Sequence, residues 1–204
     1  MNRQVATLDP LDLAAFADAT PMLGVEEIRA INPQRFEMEQ LGGVCMVDED
    51  RLLAVGYKDL GADGFWCDPA ASGSMPTVVS VEVAAQLAVF YLKWSRLLDT
   101  DSDLGIGSLS RLQMFAPIRP PCRLVVAVRV IDLNAPDSAR LEFQAVANGE
   151  AVYSGDMLCI SLRNRGSQNN GCPAKVEYAN SGALVGAACR SDSTKVYAPA
   201  RIEL

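Results

Sequence analysis

The chain has 204 residues, half of them hydrophobic, and a formal net charge of −7. This length indicates one domain with a sizeable core. The acidic balance argues against a nucleic-acid-binding protein, because neutralising phosphates requires clustered lysines and arginines. No uncharged apolar run is long enough to span a membrane, and the N-terminal residues lack the apolar core of a signal peptide. We therefore expect a soluble, cytoplasmic protein.

The sequence contains no histidine. Neither a Ser–His–Asp nor a Cys–His nucleophile can therefore form within one chain, and histidine-ligated metal sites are ruled out. The six cysteines include no C-x-x-C pair, so we predict reduced, partly packed thiols without a zinc site or a disulfide framework. We expect no metal and no cofactor. Acid–base chemistry near neutral pH must then come from carboxylates, Lys, Tyr or Cys with shifted pKa values.

The first third of the chain predicts short helices followed by two strands. Residues 9–31 indicate one or two short helices, because Asp9-Pro10 is typical of a helix start and apolar residues follow with helical spacing. The β-like runs 44–47 and 52–58 come next, joined by an acidic turn at 48–50. A loop rich in Gly, Ser, Ala and Asp then leads to residue 74.

Residues 77–92 predict a long helix that is apolar on nearly every side. Glu82 is its only acidic residue, and Gln86 lies one turn later on the same face. A carboxylate buried in such surroundings is costly unless it is paired, protonated or used. Glu82 is therefore a candidate catalytic residue. The alternative is a structural one, in which Glu82 and Gln86 hydrogen-bond as a polar seam of the core.

The last part of the chain predicts four strands and an extension. The runs 105–115, 123–133, 139–147 and 151–162 are strand-like, and Asn148-Gly149 is a typical hairpin turn. Two strands, one apolar helix and an antiparallel four-strand meander predict an α+β fold with the sheet wrapped around the helix. Polar, turn-rich residues begin at Arg163. We accordingly predict an N-terminal helical segment (1–31), a central domain (32–163) and a C-terminal tail or loosely attached extension (164–204).

Several motifs resemble the hot-dog-fold β-hydroxyacyl-carrier-protein dehydratases of bacterial fatty-acid and polyketide synthesis. Met75-Pro76-Thr77, Glu82 and Gln86 fall in the register of that family's M-P-G-x-x-x-x-[ED]-A-x-x-Q helix pattern. Residues 89–94 are similar to the G-F-Y-L-G-W that ends the helix in the dehydratase–isomerase branch. Residues 26–36 and 115–121 resemble flanking family motifs, so the likeness covers about residues 25–162. It implies a hot-dog fold, with an antiparallel sheet wrapped around a long central helix.

The resemblance also implies a site. In the family a histidine moves the proton at Cα, and the helix carboxylate helps to expel the β-hydroxyl. Glu82 keeps the carboxylate role, whereas Asp68 stands opposite the missing histidine, so Glu82 and Asp68 are the catalytic candidates. Asp68 precedes a proline, and a simple turn residue is the alternative. Thr77 replaces a glycine near the helix N-terminus that receives the thioester carbonyl, and its N–H remains available. The substrate-binding candidates are Cys67, Met75, Thr77 and Gln86.

Three functions remain open at this stage. The first is an enzyme that dehydrates, isomerises or rearranges an acyl thioester on an acyl carrier protein or coenzyme A, or a thioesterase with Glu82 as the base. The second is a non-catalytic partner of a histidine-containing hot-dog protein, and the third is an acyl-binding protein. The family resemblance implies a homodimer or such a heterodimer. Because carrier proteins are acidic, docking needs a basic patch, for which the available residues are Lys93, Arg96, Arg111, Arg119 and Arg123.

Overall fold

A computed structural model of the protein describes residues 12–62, 64, 66, 73–98 and 102–162. Two of the predicted site residues, Cys67 and Asp68, lie outside the described residues, as do the proposed extension 164–204 and the start of the N-terminal segment.

Within the described residues, two helices and six strands follow one another in nearly the predicted order. Short 3-10 helices at Leu13–Phe16 and Phe36–Met38 accompany them. The helices are α1 (Val25–Arg29) and α2 (Thr77–Trp94), and the strands are β1 (Gly43–Asp48), β2 (Leu53–Leu60), β3 (Asp103–Met114), β4 (Cys122–Asn134), β5 (Ser138–Ala147) and β6 (Glu150–Leu162).

The six strands form one antiparallel sheet in the order β1-β2-β4-β5-β6-β3. The prediction of a four-strand meander is wrong for its first strand. Strand β3 pairs with β6 at the edge of the sheet, whereas β4 pairs with β2. The remaining three strands, β4, β5 and β6, do form a meander. Local sequence patterns cannot reveal that β3 pairs with β6 and not with β4, because strands that follow one another in sequence are not always neighbours in a sheet.

The sheet packs its inner face against α2, which is the core helix of the protein. Twelve of the helix's 18 residues are buried, and they meet alternate apolar residues of the strands, among them Ala54, Val126 and Phe143. The helix is long and apolar enough to cross a membrane. Its burial against the sheet accounts for that composition, since a helix that is apolar all round is enclosed by other protein elements.

The outer face of the sheet carries a second, smaller apolar cluster. The 3-10 helix at 13–16 places Leu13 against Val55 and Val125, which point away from α2 on β2 and β4. Arg123 stacks 3.9 Å above the ring centre of Tyr57 on the same face. The 3-10 helix at 13–16 therefore covers part of the outer surface, whereas Ile28 of α1 belongs to the inner apolar cluster around α2.

Candidate active site

Two hydrogen bonds to other elements and one within the helix fix the start of α2. The Met75 N–H donates to the carbonyl of Ile118 at 2.8 Å, and the Tyr153 hydroxyl donates to the carbonyl of Ser80 at 2.8 Å. The Ser80 hydroxyl donates to the carbonyl of Thr77 at 2.8 Å. Burial raises the pKa of Tyr153, so its hydroxyl stays a neutral donor. These contacts hold the first turn of the helix against β6 and the segment before β4.

The N-terminus of α2 has free backbone donors. Pro76 is the N-cap residue and makes no side-chain capping bond. Its carbonyl accepts hydrogen bonds from the N–H groups of Val79 and Ser80. The N–H groups of Thr77 and Val78 meet no acceptor within the described part of the chain. Orphan N–H groups at a helix start, reinforced by the helix dipole, favour an anion or a polarised carbonyl.

Glu82 lies one turn inside this helix end and is half-buried, so the expectation of a buried carboxylate is met only in part. Its Oε1 accepts a hydrogen bond of 2.8 Å from Nε2 of Gln86. Its Oε2 has no hydrogen-bond partner among the described residues. One carboxylate oxygen is thus fixed, and the other is available to a substrate or to water.

The Gln86 amide uses its full hydrogen-bonding capacity. Its Nε2 donates to Glu82 and to the carbonyl of Met38, while its Oε1 accepts from the N–H groups of Gln40 and Leu41 at 2.9 and 3.0 Å. The side chain is only 2% exposed. Since an amide offers two donor hydrogens and two acceptor lone pairs, Gln86 has nothing left for a substrate. Its contact with the candidate site is the hydrogen bond that orients Oε1 of Glu82.

The same amide ties the segment before β1 to the core helix. Asn32 adds a second tie, because its Nδ2 donates to the backbone carbonyl of Gln86 at 3.0 Å. Asn32 and Gln40 are both almost fully buried. The polar seam that the sequence offered as a structural alternative therefore exists, and it includes the candidate carboxylate. The structural and catalytic interpretations of Glu82 are compatible, because the seam leaves Oε2 free.

Four of the predicted site residues are described, and a hydrogen bond joins two of them, Glu82 and Gln86. Met75, Thr77, Glu82 and Gln86 all lie in α2 or directly before it. Sequence reasoning missed Tyr153, Asn32 and the backbone of residues 38–41. Tyr153 sits in an ordinary strand pattern, and no local signal marks it as an anchor of the helix.

The predicted basic patch is weaker than its composition suggests. Arg111 pairs with the buried carboxylate of Asp156, and Arg123 makes a two-point ion pair with Asp59 at 2.7 and 3.0 Å. Lys93, Arg96 and Arg119 have no ion-pair partner among the described residues. Of the five residues of the predicted patch, these three therefore remain available to an acidic partner.

No group of three or more His, Cys, Asp or Glu side chains in the described part of the chain is placed to hold a metal ion. Three cysteines are described, and all are free. Burial raises the pKa of the Cys159 thiol to about 12 and also raises the pKa values of Cys45 and Cys122. Reactive thiolates are therefore not expected at these positions.

Comparison with solved structures identifies the fold. The chain is similar to the dehydratase heterocomplex ApeI:P from Xenorhabdus doucetiae, with 13% identity, a TM-score of 0.56 and coverage of 67% of this chain and 91% of that chain. It is also similar to Cj0977, a sigma28-regulated virulence protein from Campylobacter jejuni, with 11% identity, a TM-score of 0.51 and coverage of 70% and 94%. Neither a protein-family model nor a curated protein matches the chain. At such identities the likeness establishes the fold alone, which is the hot-dog fold that the sequence resemblance implied.

Proposed function

We propose that this protein is an enzyme acting on a 3-hydroxyacyl thioester, linked to a carrier protein or coenzyme A, in fatty-acid or polyketide biosynthesis in the cytoplasm. The observation that carries the proposal is that Glu82 and the start of its own helix both offer free hydrogen-bonding groups. Gln86 holds one oxygen of the carboxylate and leaves the other free, and the N–H groups of Thr77 and Val78 are unoccupied about one turn earlier.

These groups can perform an elimination of water. The free helix N–H groups would accept the thioester carbonyl oxygen and stabilise the negative charge that develops on it. Glu82 would remove the proton at Cα and return it to the departing β-hydroxyl, so that the carboxylate is regenerated while a C=C bond and water are formed. Asp68, which stands where the family has its histidine, is the candidate for sharing this proton transfer. With a 2-enoyl thioester, the same carboxylate could instead take a proton from Cγ and return it to Cα, which moves the double bond and regenerates the carboxylate.

A thioesterase is the second candidate. The free Oε2 of the half-buried Glu82 can accept a proton from a water molecule as well as from Cα. The attacking water would then cleave the thioester, with the same helix N–H groups receiving the oxyanion.

One experiment separates these reactions. The protein is incubated with matched 3-hydroxyacyl, 2-enoyl and saturated acyl thioesters, and the products are analysed by mass spectrometry. Loss of 18 mass units, the mass of one water, from the 3-hydroxyacyl substrate supports dehydration. An unchanged mass with a shifted double bond in the enoyl substrate supports isomerisation. Release of free acid from all three substrates supports the thioesterase, whereas no conversion of any of them contradicts an enzymatic role.

Strand β3 supports a dimer as the functional unit. It lies at the edge of the sheet, and it and the residue after it expose large apolar side chains that α2 does not cover, namely Ile106, Leu109, Leu112, Met114 and Phe115. An open edge with apolar side chains favours pairing with another strand. We propose that two such edges join, either in a homodimer or with a histidine-containing hot-dog protein. Sedimentation showing a strict monomer, alone and with such a partner, would contradict this assembly.

A non-catalytic role in a heterodimer follows as an alternative, because the chain lacks histidine. The protein would then supply Glu82 or only the wall of the site to its partner. Co-expression with the histidine-containing protein encoded nearest to it, followed by assay of each chain alone and of the complex, decides this. If the complex still converts substrate after Glu82 is substituted, the chemistry belongs to the partner.

A further inference from the structure

A cleft of about 380 Å³ lies between the segment before β1, the end of β2 and the residues that follow β2. Its size is within the usual range for small-molecule sites. Two aromatic rings, four charged side chains and one amide side chain contribute to its lining. Glu82, Thr77 and Val78 are not among the described residues that line it. The reaction proposed above therefore does not account for this combination of groups.

The aromatic side of the cleft is open to solvent. Phe36 is 84% exposed, more than any other large apolar side chain among the described residues. Its φ of 57° lies in the left-handed region that bulky residues rarely adopt, and such conformations cluster at ligand-binding and active sites. The half-buried Trp66 lines the same cleft. The two rings provide apolar surface for the body of a ligand and π faces that attract a cation.

The charged side chains of the lining leave one cation and one anion unpaired. Glu39 and Asp59 are each held by an arginine outside the lining, at 2.6 and 2.7 Å. Lys58 and Glu37 take part in no ion pair among the described residues. The unpaired charges therefore balance, so neither a simple anion nor a simple cation satisfies both of them. A ligand with one charge of each sign does.

Lys58 provides the stronger of the two charged contacts. Its side chain is half-buried, and its Nζ donates one hydrogen bond to the backbone carbonyl of Glu39 at 2.9 Å. Burial lowers the pKa of Lys58, and the nearby carboxylates of Glu39 and Asp59 offset this effect only in part. A partly buried ammonium without a counter-ion is unfavourable. A ligand carboxylate supplies that counter-ion and accepts a charge-assisted hydrogen bond.

We propose that this cleft binds a free α-amino acid with an apolar or aromatic side chain. Lys58 donates to the ligand's carboxylate, and the ligand's ammonium lies at the exposed rim beside Glu37. The apolar side chain of the ligand packs against the rings of Phe36 and Trp66. Such a ligand supplies the anion, the cation and the apolar body that complement the lining. The inference concerns a second site and does not depend on a reaction at Glu82.

The ligand class is tested by calorimetric titration with phenylalanine and with two analogues that each lack one charged group. The first, 3-phenylpropionate, keeps the carboxylate, and the second, phenethylamine, keeps the ammonium. We expect saturable binding of phenylalanine. Loss of the carboxylate should weaken binding about tenfold, the value of one hydrogen bond from a charged donor. No saturable binding of phenylalanine up to about 10 mM, or equally tight binding of phenethylamine, overturns the inference.

Substitutions of the two unpaired residues assign the contacts. Lys58→Met should weaken phenylalanine binding about tenfold and leave phenethylamine binding unchanged. Glu37→Gln should weaken phenylalanine binding only about threefold, because exposed ion pairs contribute little, and it should not affect 3-phenylpropionate. Lys93→Met removes a lysine of α2 outside the lining and is the matched control, which should bind phenylalanine normally. Normal binding of phenylalanine by the Lys58→Met variant overturns the inference.

Trp66 reports where the ligand binds. The sequence has two tryptophans, so a Trp94→Phe variant leaves Trp66 as the only tryptophan. Its emission, excited at a wavelength that phenylalanine does not absorb, should change saturably with the Kd measured by calorimetry. Calorimetric binding without a change in the emission of Trp66 would place the amino acid elsewhere on the protein and contradict the inference.

Discussion

The side-chain amide of Gln86 donates a hydrogen bond of 2.8 Å to Oε1 of Glu82, one turn earlier on the core helix. The same amide accepts the N–H groups of two residues in the segment before β1 and donates to the carbonyl of a third. The candidate carboxylate is therefore oriented by an amide whose two donor and two acceptor sites are all hydrogen-bonded. The same amide group therefore contributes to the stability of the fold and to the orientation of Glu82.

The Gln86 amide is expected to be necessary for stability as well as for positioning. Gln86→Glu retains the acceptor for Gln40 and Leu41 but replaces the donor to Glu82 and Met38 by an oxygen. Leaving buried acceptors without a donor costs about 1–3 kcal/mol. We expect the free energy of unfolding in urea at pH 7 to fall by that amount. The difference in free energy of unfolding between the variant and the unmodified protein should be smaller at pH 5. At that pH the introduced carboxyl group can carry a proton and donate a hydrogen bond.

Gln113→Glu is the control for this change, because Gln113 is exposed on β3. It should alter the free energy of unfolding by less than about 0.5 kcal/mol. An equally small effect at position 86 would show that the polar seam does not stabilise the protein.

Tyr153 should hold the start of α2 through its hydroxyl. Tyr153→Phe removes the 2.8 Å bond to the Ser80 carbonyl while keeping the ring, which packs edge-on against Phe143. We expect a loss of about 1 kcal/mol in the free energy of unfolding, measured by urea denaturation. Because the first helix turn also presents the free N–H groups, kcat should fall as well. Unchanged stability and unchanged kcat would rule out this anchoring role.

The pair of Glu39 with Arg29 should make stability depend on pH. The hydrogen bond from Arg29 lowers the pKa of Glu39 below its ordinary value of 4.5. A lowered folded-state pKa contributes stability above the unfolded-state value, and this contribution disappears as the pH falls through the folded-state value. Thermal melts should therefore show Glu39→Gln less stable than the unmodified protein at pH 7, with the difference shrinking as the pH falls below the ordinary glutamate value and disappearing once it passes the lowered folded-state pKa.

Glu26→Gln is the matched control, since Glu26 also pairs with Arg29 but its side chain is 83% exposed. It should change the melting temperature little at either pH, because exposed pairs are strongly screened. A pH-independent difference for Glu39→Gln would contradict the assigned interaction.

Cys159 should be unreactive in the folded protein. It is fully buried, and burial raises the pKa of its thiol to about 12. Alkylation with iodoacetamide at pH 8, followed by peptide mass spectrometry, should modify Cys159 only after denaturation. Rapid labelling under native conditions would mean that β6 opens locally or that its inner face is not enclosed by α2.

Much of the fold could be predicted from the sequence because its signals are local. The helix from Thr77 to Trp94 follows from a continuous apolar composition, and the turn at Asn148-Gly149 fixes the hairpin between β5 and β6. The strand limits agree with the apolar runs within a few residues. Each of these features depends only on residues close together in the chain.

The remaining features depend on contacts between distant residues. Nothing local shows that β3 lies at the far edge of the sheet beside β6, because this pairing joins residues that are distant in the chain. Likewise, the Gln86 amide meets backbone groups 45 to 48 residues away. The sequence indicated that Gln86 is important, but it did not indicate which backbone groups Gln86 contacts. It suggested Gln86 as a substrate-binding residue, and the structure adds that the amide hydrogen-bonds to Glu82 and to the segment before β1.

The most direct test is the activity of Glu82→Gln with a 3-hydroxyacyl pantetheine thioester. The substitution keeps the shape and the contact with Gln86 but removes the charge and the transferable proton. Glu150→Gln, at an exposed position, controls for the chemical change, and circular dichroism confirms that each variant is folded. We predict that Glu82→Gln lowers kcat at least about a hundredfold, while Glu150→Gln retains full activity. Normal turnover by a folded Glu82→Gln variant, above all if Asp68→Asn is inactive, would contradict the assignment of Glu82 as the acid–base group.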